Sequence, residues 1–116
     1  MKSLVLAVAL LAAAPAHACL CPQFPPETVD EAMSSSDIVF RGRVLRADHQ
    51  SDGVIYTIKV TRVWKGKLHR GSQVRVLSDD SSCGVSLLVN HAYDLAPGRI
   101  GDRLMIGKCN LVAQAD

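Results

Sequence analysis

Cysteine offers the most chemistry in this sequence, and its four copies are Cys19, Cys21, Cys83 and Cys109. Cys19-Leu20-Cys21 invites a redox reading, but a reactive dithiol draws its low thiol pKa from a C-x-x-C pair at a helix N-terminus. Here one residue separates the cysteines and Pro22 follows. Both therefore read as structural, each bonded to a distant cysteine, which leaves two connectivities that spacing does not choose between. His49, His69 and His91 stand singly in predicted loops or turns, none spaced from a cysteine or another histidine as zinc ligands are, and each reads as solvated. Asp79 and Asp80 are adjacent in a serine-rich stretch, where carboxylates usually face water. No glycine-rich phosphate loop is present. Catalysis, a resident cofactor and metal storage are accordingly not expected.

The cysteines all follow a leader. Met1-Lys2 gives a positive start, an apolar run extends from Leu4 to Ala14, and Ala16-His17-Ala18 supplies a small-x-small cleavage pattern. Residues 1–18 are thus expected to be a signal peptide, cut between Ala18 and Cys19. The run is too short to cross a bilayer core of about 30 Å as a stable helix, and no second run follows. A buried helix in its place would lack a polar face and a cap. A lipoprotein signal is the other rival, because a cysteine follows the cut. Against it, His17 stands where a lipobox takes a small or apolar residue, and acylation would leave one cysteine unpaired.

Removing 18 of 116 residues leaves 98, one domain over residues 19–116 near the small end of what a single core stabilises. An even number of cysteines in a small exported chain reads as two disulfides. Loss of Lys2 lowers the formal charge of +2 to about +1, so net charge selects no partner. Aromatics make up only 4% of the chain, too few for the stacking platforms of single-strand nucleic-acid binders. The expected product is a secreted or periplasmic monomer, with no nucleic-acid partner and no membrane attachment after cleavage.

The elements that must position the cysteines are mostly strands. Prolines stiffen residues 22–26, so helix can start only beyond them, and residues 27–33 read as a short helix with acids near its positive end. Residues 38–46 are rich in β-branched side chains and read as a long strand in which Gly42 marks a bulge or bend. Residues 48–53 end in Asp-Gly and read as a hairpin loop. The second strand places Val54, Tyr56, Ile58, Val60 and Trp64 on one face, with Trp64 as a core anchor. Residues 73–77 alternate again, residues 85–89 and 92–96 read as a hairpin around Asn90-His91, residues 97–101 as a turn, and residues 103–106 as a last strand. Five or six short strands behind one helix indicate a mainly β, small Greek-key OB-like barrel with two disulfides.

Taken in order, these features resemble the tissue inhibitors of metalloproteinases, specifically their N-terminal, netrin-like OB domain, over nearly all of residues 19–116. The resemblance lies in Cys19-x-Cys21 at the mature start, then Asp37-Ile38-Val39-Phe40-Arg41-Gly42-Arg43-Val44, and Tyr56-x-Ile58-x-Val60 running into Trp64-Lys65-Gly66. It continues through Cys83-Gly84-Val85-Ser86-Leu87, Tyr93-Asp94-Leu95 and Cys109. It implies disulfides from Cys19 to Cys83 and from Cys21 to Cys109. It also implies a non-enzymatic inhibitor whose partner is a zinc metalloendopeptidase. The Cys19 α-amine and carbonyl would chelate the protease's zinc, Leu20 would enter its S1′ pocket, and Cys21, Pro22, Asp80, Ser81, Ser82 and Cys83 would complete the contact ridge. Two departures stand out: no cysteine lies in the predicted helix, and the loop at residues 48–53 is short. The alternative is an extracytoplasmic OB-fold binding or structural module that inhibits nothing, since fold alone does not imply function.

Overall fold

The computed structural model describes residues 19–21 and 25–116, so the expected signal peptide and Pro22 lie outside the described residues. Among the described residues the one helix, α1 (Val29–Ser35), begins where Thr28 accepts a hydrogen bond from the Glu31 amide, while the Glu31 carboxylate accepts one from the Glu27 amide. This side-chain exchange satisfies donors that the first turn cannot pair, and it sets the start two residues later than the sequence pattern suggests. α1 buries Ala32 against the sheet. Among the described residues no helix is long and apolar enough to cross a membrane.

Seven strands follow: β1 (Val39–Gln50), β2 (Gly53–Lys65), β3 (Gln73–Asp79), β4 (Ala92–Leu95), β5 (Gly98–Ile100), β6 (Arg103–Met105) and β7 (Leu111–Gln114). They form one sheet in the order β5-β6-β3-β2-β1-β4-β7, curled into a half-barrel. The mainly β architecture with one short helix and two disulfides is the expected one. Neighbouring strands are antiparallel except β3 and β6, which run parallel.

β1 and β2 pair down to Gln50 and Gly53, so most of the stretch read as a loop belongs to the ladder and only Ser51 and Asp52 turn. The register slips between Arg41 and Gly42, at the glycine that the sequence marks. A Cβ on Gly42 would meet the Ile58 side chain and the Lys59 carbonyl oxygen, so this close approach of strands requires glycine. Because Gly42 faces Val60 and Arg41 faces Arg62, Thr61 is the extra residue, and the faces of β2 exchange beyond it. Tyr56, Ile58 and Val60 enter the main core with Phe40, Val44 and Val76, and Val63 continues that face. Trp64 does not: it packs half-buried with Ala32, Val39 and Ala96 beneath α1. It is a core anchor, as expected, but of this smaller cluster between helix and sheet; its expected place on one face with Tyr56, Ile58 and Val60 is corrected.

Residues 85–89 form no strand. Their amides are taken up by hydroxyls instead: Val85 donates to Ser78 Oγ at 2.8 Å, Leu87 to the Tyr56 hydroxyl at 3.1 Å and Leu88 to the Tyr93 hydroxyl at 2.8 Å. Residues 97–101 contain β5 rather than a turn alone, and β7 is an additional strand paired with β4.

Candidate functional site

In a parallel pair both strands leave the sheet at the same end. β3 therefore delivers Cys83, four residues past Asp79, beside Cys109, four residues past Met105 of β6. Backbone bonds carry this closeness beyond the ladder: Ile106 donates to the Leu77 carbonyl at 2.9 Å and Lys108 to the Cys83 carbonyl at 2.8 Å. Cys19 is bonded to Cys83 with 4.8 Å between Cα atoms, and Cys21 to Cys109 with 5.6 Å. These are the pairings that the resemblance implies. The two bridges touch, Cys19 Sγ standing 3.7 Å from Cys109 Sγ. All four sulfurs are bridged, so the cluster of Cys19, Cys21 and Cys109 presents no thiolate for a metal.

Leu20, between the two anchored cysteines, is 88% exposed. A leucine held on a doubly stapled tripeptide and pointing into water loses little conformational freedom on entering a pocket, which is how preorganisation favours binding.

The loop before Cys83 is ordered from within. Asp79 Oδ1 accepts from the Ser81 amide at 3.2 Å and the Ser81 hydroxyl at 2.6 Å. Ser81 Oγ in turn accepts from the Cys83 amide at 3.2 Å, and the Ser81 carbonyl from the Gly84 amide at 3.0 Å. Asp80 and Ser82 are exposed beside them. On the far side of Cys83, Ser78 both accepts from the Val85 amide and donates to its carbonyl, at 2.8 and 3.1 Å. Asp79 and Ser78 are positioning residues that the sequence reading missed. The Asp-x-Ser spacing of Asp79 and Ser81 is the local signal for the first, since such side chains cap their own turns; nothing local marks Ser78.

His49 and His69 are exposed, and His91 is half-buried with Nδ1 3.1 Å from Gln114 Nε2 and 3.5 Å from Asp116. None of the three lies in the cysteine cluster. The site thus offers a rigid, apolar protrusion flanked by polar loop residues.

Residues 17–116 match the family model described as tissue inhibitor of metalloproteinase. The chain is similar to metalloproteinase inhibitor 3 of Xenopus laevis, at 31% identity over 84% of this chain and 48% of that protein. It is similar also to the proteins of the same name from Scyliorhinus torazame, at 33% over 86% and 49%, and Gallus gallus, at 33% over 82% and 47%. The chain spans about half the length of these relatives.

Proposed function

Since the chain belongs to the tissue inhibitor of metalloproteinase family, we propose that residues 19–116 are a secreted or periplasmic protein inhibitor of zinc metalloendopeptidases. The observation that carries this reading is Leu20, 88% exposed between two cysteines that are each bridged to the sheet's end. Cleavage after Ala18 frees an α-amine on Cys19. That amine and the Cys19 carbonyl are the two ligands offered to the catalytic zinc of the target, and Leu20 is the side chain offered to S1′. Burying this leucine contributes about 1.5–3 kcal/mol before ordering costs. Cys21, Pro22, Asp80, Ser81, Ser82 and Cys83 form the rest of the ridge. The zinc belongs to the protease, and the inhibitor itself carries no cofactor.

The missing helix cysteine and the two-residue turn at Ser51 and Asp52 favour a second reading, a stapled module that keeps the fold without inhibiting. One experiment separates the two. The purified chain beginning at Cys19 is compared with its Nα-acetylated form against a broad panel of zinc endopeptidases, with circular dichroism to show that both fold alike. Acylation draws the nitrogen lone pair into an amide, so the free form is expected to inhibit and the acetylated form not to. The amine, with an ordinary pKa of about 7.7–8.0, binds zinc only when unprotonated, so inhibition should weaken as pH falls below that range. Equal inhibition by both forms would reject chelation by Cys19. No inhibition by either would leave the module reading.

A further inference from the structure

The outer face of β1, β2 and β3 sets cations against one another. Arg43 stands opposite Lys59, and Arg41 opposite Arg62. Like charges directly opposed on one sheet face destabilise the pairing unless something offsets them; Asp94 and the Trp64 ring do so for Arg41 and Arg62, and Lys59 has no such partner among the described residues. On the same face Thr57 pairs with Arg46 of β1 and Arg75 of β3. Thr57 is 7% exposed, and its Oγ1 is buried with no hydrogen-bond partner among the described residues.

The face also displays what satisfies its cations. Arg41 grips both oxygens of Asp94, Nε at 2.7 Å and Nη2 at 3.1 Å. This fork, outweighing partial desolvation, holds the guanidinium above its ordinary pKa. Arg46 reaches Asp48 at 2.8 Å, and Arg43 lies 3.5 Å from Asp116. The engaged arginines are each matched by a carboxylate. Lys59, Arg62 and Arg75 are exposed and have no carboxylate at ion-pair distance among the described residues. They follow one diagonal: Arg75 beside Thr57, Lys59 two residues along β2, and Arg62 past the Thr61 bulge. Arg62 also lies over the Trp64 ring, 4.9 Å from its centroid, which restrains the guanidinium at the end of the row.

We infer that this row is a docking surface for an acidic polypeptide segment, whose carboxylates complete Lys59, Arg62 and Arg75 as Asp94 completes Arg41. Arginine forks match carboxylates in shape as well as charge. Trp64 is the chain's one tryptophan and adjoins the row only at its end, so the face lacks the succession of rings on which single-stranded bases stack. The surface uses neither the Cys19 amine nor Leu20, so its test is independent of inhibition.

The test uses the chain from Cys19 and fluorescein-labelled poly-L-glutamate, read by anisotropy. Saturable binding is expected at low ionic strength, weakening steeply as salt is added. Lys59→Gln/Arg75→Gln, which leaves Arg62 on Trp64, is expected to lower affinity roughly tenfold, the loss of two partly screened charge pairs. Lys67→Gln/Arg99→Gln removes the same charge elsewhere and is expected to bind as the parent does. Relief of the Arg43–Lys59 opposition should hold or raise Tm in the first variant, a result that a merely structural role would not give. Should the double variant fail to fold, Lys59→Gln alone is expected to lower affinity about threefold, the loss of one such pair, with Tm held or raised. Equal losses in the two double variants would overturn the inference, since net charge alone would explain them. So would no binding of poly-L-glutamate, or equally tight binding of dextran sulfate or duplex DNA through the same residues, the mark of a general polyanion surface.

Discussion

Ser78→Ala tests whether hydroxyl struts hold the Cys83 side of the proposed ridge. Ser78 is 1% exposed, and its Oγ forms two bonds to one residue, accepting from the Val85 amide and donating to the Val85 carbonyl. The carbonyl keeps a second donor, the Tyr56 hydroxyl at 3.3 Å, but the amide has no other partner among the described residues. Removing one oxygen barely changes volume, so the cost is that of a half-buried amide left unpaired, about 1–3 kcal/mol. For a domain of this size each kcal/mol lowers Tm by roughly 4–8 °C. Reversible thermal unfolding with the disulfides intact measures the loss, and hydrogen exchange at the Val85 amide locates it. In the inhibition assay the variant should also bind more weakly, because Cys83 then moves more freely against Cys19. An unchanged Tm together with an unchanged Val85 exchange rate would refute the strut.

Gly42→Ala should destabilise by about 1–3 kcal/mol, since its methyl would press on Ile58 and the Lys59 carbonyl, whereas Gly98→Ala, whose nearest neighbour is Asn110 Nδ2 at 3.9 Å, should be tolerated; urea unfolding compares them. Cys21→Ser/Cys109→Ser removes a bridge between residues 88 apart and should cost about 2–5 kcal/mol by the same assay, with Cys19–Cys83 retained on peptide mapping.

The elements most legible in the sequence were those whose burial alternates with the strand period. Tyr56, Ile58 and Val60 lie in the core where alternation puts them. Alternation fails at Trp64 because the extra residue at Thr61 exchanges the faces, and a bulge leaves no periodic signal of its own. Residues 85–89 have strand-like composition, yet their amides bond to hydroxyls of Ser78, Tyr56 and Tyr93, partners set by tertiary structure rather than by local sequence. β5 is three residues long and sits in a stretch of Pro, Gly and Arg that reads as a turn.

The disulfide pairing was legible by family resemblance and not by spacing, and the parallel pairing of β3 with β6 explains the difference. A reader who expects consecutive antiparallel strands sends successive strand ends to opposite sides of the sheet, and then no argument from residue counts brings Cys83 and Cys109 together. The parallel crossover reverses β6, so that both cysteines follow strands leaving the same end, four residues beyond Asp79 and Met105. Strands in a sheet are about 4.8 Å apart, and an extended x between two cysteines spans about 7 Å, so Cys19-Leu20-Cys21 can bridge adjacent exits with each sulfur turned inward. Side chains alternate along such a tripeptide, which leaves the middle one pointing away from both bridges. The exposure of Leu20 is therefore a consequence of the crossover: an apolar side chain faces water because both of its neighbours are tied to the protein beneath it.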